Sequence, residues 1–444
     1  MRFRLVLIGV SSALFLSACD MVPVADTYNS MPYDDTMAFP HDYLEKSDTA
    51  QALNLIPIAG SDVGSNLQNL EMGRFQQIAQ DYSASITSYQ RVIDSVADDA
   101  NHPYDMIEEG MANSLAYFNG GYGVKYHPRG YEVIALYTYQ ALNELALGNT
   151  AAANSDIEKA LALQSTYHDL LNKQLQKIEQ LSQSEDSMNS QYPDSYRDMV
   201  ADTSAVKTSF FNPLSVYLAS LLQQANGNAV EASNYLDEIK AAGVNNPYLK
   251  TLDPKQAGLV IIYEPMLLDH MSDETVKVNA NGVIWDMYMP SYESYNWMKT
   301  YATPPLVISR DSQPLGKTEN LLSYRQLAEK SLIETYPFYE LMLQNYINHA
   351  DLSEIKFKIA IFSNFNRNKF DNSWEGMPYQ LAWSTLPEDV QIFQESLAEG
   401  SYNLTLSNVD ASNTVTVYLQ SGKITIVWVI QPGDSTLFTG VINL

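Results

Sequence analysis

One cysteine, Cys19, stands among the 444 residues, and its neighbours give it one chemistry. It closes the run Leu16-Ser17-Ala18-Cys19, directly after an apolar stretch from Leu5 to Leu16 that opens on Arg2 and Arg4. A basic start, an apolar run and small residues before a cleavage point read as an export signal. Leucine, two small residues and cysteine form a lipobox pattern. Small residues let the extended chain enter a narrow protease site, and the thiol accepts a diacylglyceryl group. Residues 1–19 are therefore expected to be a lipoprotein signal peptide, with Leu16, Ser17 and Ala18 as lipobox and Cys19 as the lipidation site. A thiol used in this way is not a nucleophile, and no second cysteine exists for a disulfide. The apolar run is shorter than a membrane span requires. The expected location is the cell envelope, facing the periplasm and held to the membrane through lipid on Cys19. Asp20 leans towards the inner membrane, with the outer membrane as the alternative.

The remaining residues offer no second constellation of that specificity. The six histidines, His41, His102, His127, His168, His270 and His349, show no zinc-ligand spacing on one helix and no His-Glu-x-x-His. No Gly-x-Ser-x-Gly elbow occurs, and no dinucleotide fingerprint follows a strand. The loop Asn119-Gly120-Gly121-Tyr122-Gly123-Val124-Lys125 lacks the ending and the preceding strand of a phosphate cradle. The pairs Asp34-Asp35, Asp98-Asp99 and Glu108-Glu109 suit solvated faces or turns. No metal, no cofactor and no catalytic residue is expected, and the chain is read as a non-enzyme.

Aromatic residues are the other candidate. There are 30 tyrosines, a residue type that buries area with few rotors and keeps a polar tip. Tyr288, Tyr292, Tyr295 and Trp297 follow one another closely. They read as an aromatic binding patch for glycan or peptide, or as hairpin packing. The net charge of −26 opposes contact with nucleic acid, and export removes two arginines and no acid.

The elements that carry these residues divide the chain. Residues 20–62, with Pro23, Pro32, Pro40 and Pro57, read as a flexible tether holding one short helix near Tyr43–Leu53. Residues 63–252 carry a helical period with three partial copies of a tetratricopeptide-like hairpin. Small residues fall at Gly73, Ala141 and Ser220, and turns follow before Tyr82, at Leu147-Gly148-Asn149 and at Asn226-Gly227-Asn228. Inner-face residues of the second helices are Ser85 and Tyr89, then Ala153, Ile157 and Ala160, then Ala232, Leu236 and Ile239. Residues 253–350 read as strands plus a long helix from Leu321 to Ile347. They include a hairpin on Asn281-Gly282. Residues 351–444 read as β-rich, with an alternating strand at Ile355–Ile361 and four C-terminal strands forming a small β-sandwich. The expected fold class is α+β: a helical repeat domain, then a mixed region ending in the sandwich.

Three stretches carry a resemblance: Tyr131-Glu132-Val133 through Tyr139-Gln140-Ala141-Leu142-Asn143 to Leu147-Gly148-Asn149, Leu259-Val260-Ile261-Ile262-Tyr263-Glu264, and Trp374 followed by Leu386-Pro387. In these the chain resembles an uncharacterised family of proteobacterial tetratricopeptide-like lipoproteins, over nearly all of its length past the signal. The resemblance implies a central helical hairpin and a strand opening the second half. It transfers no catalytic residue. The genes of that family often lie beside those of other envelope lipoproteins, which implies a role in wall or envelope assembly. The function expected is a non-enzymatic protein-binding scaffold or adaptor whose repeats offer a concave groove to an envelope protein or peptide. The alternative is a protein that binds peptidoglycan or another glycan, or a wall hydrolase.

Overall fold

A computed structural model describes residues 33–56, 65–100, 126–182, 194–268, 272–280, 283–291, 303–311, 313–349, 382–433 and 436–444. The helices are α1 (Tyr33–Glu45), α2 (Thr49–Leu55), α3 (Ser65–Ile78), α4 (Tyr82–Ala100), α5 (Gly130–Ala146), α6 (Thr150–Ser182), α7 (Asp194–Asp202), α8 (Pro213–Ala225) and α9 (Ala229–Ala241). Strands β1 (Ala257–Pro265), β2 (Ser272–Ala280), β3 (Val283–Ser291), β4 (Val307–Arg310), β5 (Gln313–Lys317) and β6 (Glu319–Ser323) follow, then helix α10 (Tyr324–His349). The chain ends in β7 (Asp389–Leu397), β8 (Gly400–Ser407), β9 (Ser412–Leu419), β10 (Ile424–Gln431) and β11 (Phe438–Asn443). The result is a mixed α+β fold, helical first and β-rich last.

Three helical hairpins, α3–α4, α5–α6 and α8–α9, turn in the same way. In each the first helix is reversed by one residue at positive φ: Gln80 (63°), Gly148 (79°) and Gly227 (79°). Each turn closes with the same backbone bonds, for example Asp81 N to Gln76 O, Asn149 N to Glu144 O and Asn228 N to Gln223 O. These are left-handed C-terminal stops, and glycine holds the φ of two of them without strain. The small residue of each first helix makes room for its partner. A Cβ on Gly73 would lie 2.4 Å from a ring carbon of Tyr89. Two hairpins add a serine tie: Ser85 Oγ donates to Gly73 O at 2.6 Å, and Ser220 Oγ to Ala232 O at 2.8 Å.

The sheets give this helical layer something to cover. A five-stranded sheet has the order β11-β10-β1-β7-β6, and a four-stranded sheet the order β5-β4-β8-β9. β2 and β3 form a two-stranded ribbon in which Ala280 opposes Val283, and the turn expected at Asn281-Gly282 lies outside the described residues. In the larger sheet β1 runs parallel to β10 and antiparallel to β7. Alternation splits the β1 side chains. Val260 and Ile262 enter one core with the helices, while Leu259, Ile261 and Tyr263 enter a second with Ile308, Leu404, Leu406 and Leu419 of the four-stranded sheet. β1 and β10 are buried along their whole length, as strands covered on both faces must be.

Several boundaries differ from the sequence-based expectation. Residues 33–56 of the segment read as a tether with one short helix near Tyr43–Leu53 form two helices, α1 and α2, and Met37, Leu44, Ala52 and Ile56 are buried in the helical core. The tether reading fails there because an apolar stripe runs between the prolines and acids. The division at 350/351 does not separate structural units, because β1 pairs with β7 and β10 while β4 pairs with β8. The division at 252/253 is bridged in the same way, since α3 to α9 share one core with β1 and β10. Leu321 and Leu322 belong to β6, so the long helix starts at Tyr324. α7 and β7 were not anticipated. The Ile355–Ile361 strand, Trp374 and the loop 119–125 lie outside the described residues.

Candidate functional site

The groove expected along the first helices is filled. α5 buries Tyr131 to Asn143 without a break, and α8 buries Pro213 to Leu222. What fills the inner face of α3 and α5 is the larger sheet together with the strap Ala382–Glu388. Trp383 packs edge-on against Tyr89 and Tyr139 at centroid distances of 5.7 and 6.1 Å. Glu132 Oε1 accepts Trp383 N at 2.8 Å, and Glu71 Oε1 accepts Ser384 N at 2.8 Å. Two buried carboxylates thus hold an extended stretch of backbone, as hydrogen bonds to charged acceptors do well.

Beneath the strap lies a buried ion pair. Arg74 on α3 donates to Glu264 at the end of β1, and neither side chain is exposed. Arg74 Nε also donates to Thr385 O at 3.2 Å and Nη1 to Gln77 Oε1 at 2.5 Å. Trp428 Nε1 donates to Glu264 Oε1 at 2.8 Å. The guanidinium lies over the Tyr139 ring, 4.5 Å from its centroid, and Tyr139 stacks on Trp428. Burial pushes the Arg74 pKa down, but Glu264 and the surrounding rings outweigh it and hold the group above its ordinary value. Burial likewise raises the Tyr89 and Tyr139 hydroxyls. Every charge in this seam has a protein partner. The arrangement ties the helical layer to the sheet.

Open space occurs elsewhere, in a cleft of about 580 Å³ where α6, α9, α10, β6 and the loop between α7 and α8 meet. Val206, Phe211, Val244 and Leu327 give it apolar walls, and His168, Lys207, Glu238 and Gln326 bring polar groups to it. Hydrogen bonds beside the cleft join its elements. Glu334 on α10 accepts Ser209 N at 3.2 Å and Ser209 Oγ at 2.6 Å, and Gln326 Nε2 donates to Asp202 O at 2.8 Å. α9 stops at the cleft, where Gly243 adopts φ +102°. Lys207 Nζ donates to Ala241 O at 2.7 Å, a cation satisfying a carbonyl at a helix C-terminus. Glu238, one turn back on α9, is raised by partial burial alone. The volume is in the range of small-ligand and peptide pockets.

The residues singled out from the sequence are not brought together here. Leu16, Ser17, Ala18 and Cys19, and Tyr292, Tyr295 and Trp297, lie outside the described residues. Tyr288 lies on β3 opposite Thr275, with its side chain outside the described set. Of the histidines, His168 reaches the cleft and His41 stacks on Phe75. Among the described residues no three His, Cys, Asp or Glu side chains are grouped as a metal site would need, and no helix is long and apolar enough to cross a membrane. Reading by motif missed Glu71, Arg74, Glu132 and Glu264. Their one sequence signal is a charge on the apolar side of a helix or directly after the Leu259–Tyr263 run. Comparison with family models, curated proteins and solved structures finds no match to this chain.

Proposed function

We propose that the chain is a lipid-anchored protein of the cell envelope that works as a non-enzymatic adaptor, gripping a partner protein in the cleft between α9 and α10. The observation that carries this reading is where the polar groups go. Glu71 and Glu132 hold the strap and Arg74 pairs with Glu264 of the sheet, while the cleft has apolar walls with a few polar groups. Such a cleft suits binding better than chemistry. The anchor part of the proposal rests on the lipobox at Leu16–Cys19. The three matching hairpins support a tetratricopeptide-like repeat, as the family resemblance implies, and the apolar layer between the two sheets supports a small sandwich. The inner face of α3 and α5 is covered, so the partner would be bound at the edge of the helical layer, away from a concave groove.

The test is affinity recovery from detergent-solubilised envelopes, using wild-type protein and an Ala241→Trp variant that fills the cleft from an exposed position. A partner recovered reproducibly by wild type and lost with Ala241→Trp supports the adaptor. Recovery of the same partner by both, or of none by wild type, refutes it.

A further inference from the structure

We infer that the cleft takes an extended, basic peptide segment, which adds a strand to β6 and places a lysine or arginine at Glu238. The inference rests on the cleft being the binding site and names the ligand class. Two independent features point to it. The first is an open sheet edge. Among the described residues β6 is the last strand of the five-stranded sheet, bonded to β7 on one side only. Asn246 Nδ2 caps the carbonyls of Glu319 and Asn320, each at 2.9 Å, and the edge beyond, Leu321 to Ser323, lines the cleft. The register of β6 on β7 shifts between Asn320 and Leu322, so Leu321 has no cross-strand partner there. A strand edge offers main-chain donors and acceptors to another backbone, which favours a peptide over a small amine.

The second feature is charge. Three titratable side chains line the cleft. Lys207 is held by Ala241 O, and His168 sits 3.9 Å from Asp169. Glu238 has no cation within ion-pair distance among the described residues. The whole chain at −26 adds a field that attracts a basic segment and repels an acidic one. Alternate side chains of a bound strand point to opposite faces. An alternating apolar and basic segment can therefore set its aliphatic side chains against Val206 and Leu327 while its cation meets Glu238.

Fluorescence anisotropy with the full chain in detergent tests this, using labelled peptides that alternate isoleucine with lysine or isoleucine with glutamate. A third probe is the lysine peptide N-methylated on alternate amides. The lysine peptide is expected to bind, the glutamate peptide to bind about tenfold or more weakly, and N-methylation to abolish binding. Glu238→Gln is expected to weaken the lysine peptide about three- to tenfold, and Glu238→Lys to reverse the preference. Equal binding of both charges, indifference to N-methylation, or no binding by any peptide overturns the ligand class, whatever the envelope recovery gives. Binding of the lysine peptide that Ala241→Trp leaves unchanged overturns the placement in the cleft, and with it the adaptor site.

Discussion

Removing both partners of the Arg74–Glu264 pair should cost less than the two single losses added together. Both side chains are fully buried, and each is tied to further groups: Arg74 to Thr385 O and Gln77, Glu264 to Trp428 Nε1. Arg74→Met leaves a carboxylate inside the core with one indole donor, and Glu264→Leu leaves a guanidinium with two neutral acceptors. A buried charge stripped of its counter-ion costs about 3–5 kcal/mol. The double variant has no uncompensated charge. It still leaves Thr385 O, Gln77 and the indole short of a partner, at about 1–3 kcal/mol for each buried group left unsatisfied. The double variant should therefore lose less than the two single losses together, with a coupling of about 2 kcal/mol or more. Urea unfolding followed by tryptophan fluorescence measures this, since Trp428 and Trp383 both lie in the seam. Losses that simply add, or single losses below about 1 kcal/mol, would falsify the view that this pair bonds the helical layer to the sheet.

Three further outcomes follow from other contacts. Gly73→Ala should destabilise by about 1–3 kcal/mol through overlap with Tyr89, and Tyr89→Leu added to it should recover part of the loss. The third hairpin already pairs a small residue, Ser220, with a leucine, Leu236, at the matching positions, and thermal unfolding of the single and double variants decides it. Asp156 is raised to about 7 by burial and by Glu144. Its folded form therefore holds a proton that the unfolded chain has released, and stability should fall as pH rises from about 4 to 7. Asp156→Asn should flatten that part of the pH–stability curve, and an unchanged slope would count against the shift. Cys19→Ser should abolish palmitate labelling and release the protein from the membrane fraction. Retention of both would end the lipoprotein reading.

The hairpins were legible because their turns announce themselves. Gly148 and Gly227 sit in Asn-flanked turns, and the small and apolar residues around them keep the helical period. The first hairpin was harder, because Gln80 takes the left-handed position without glycine. β1 and β10 were legible from the apolar runs Leu259–Tyr263 and Ile426–Ile430, as expected of strands covered on both faces. β7 was missed for the opposite reason: glutamines interrupt it. Gln391 and Gln394 are both buried. Gln391 bonds Thr318 and Thr303, and Gln394 bonds Tyr217 and Lys250 O. A pattern of apolar and polar letters cannot tell a satisfied buried amide from a solvated one. The same blindness hid Glu71, Arg74 and Glu132, whose charges read as surface until the strap and the sheet supply their partners. α1 was masked by Pro40 and neighbouring acids, whereas the short helix expected near Tyr43–Leu53 overlaps α2, which Asp48 caps by accepting Gln51 N at 3.0 Å. The cleft was not legible at all. Its walls come from Val206, Glu238 and Leu327, which are far apart in sequence and brought together only by docking α10 against the helical layer.

A helical array and a sheet with one bare apolar face solve each other's problem, and that decides where a partner can bind. The inner faces of α3, α5 and α8 are too apolar to stand in water, and so is the sheet face carrying Val260, Ile262, Ile392 and Trp428. Pressing them together buries both, but it removes the groove that an open array would offer. On the proposed reading recognition falls at the margin of the fold, where β6 ends the described sheet and α9 ends the last hairpin. The same packing reaches back to the first described helix: α1 is pinned to the loop after β10, where Thr436 Oγ1 donates to Glu45 O at 2.8 Å.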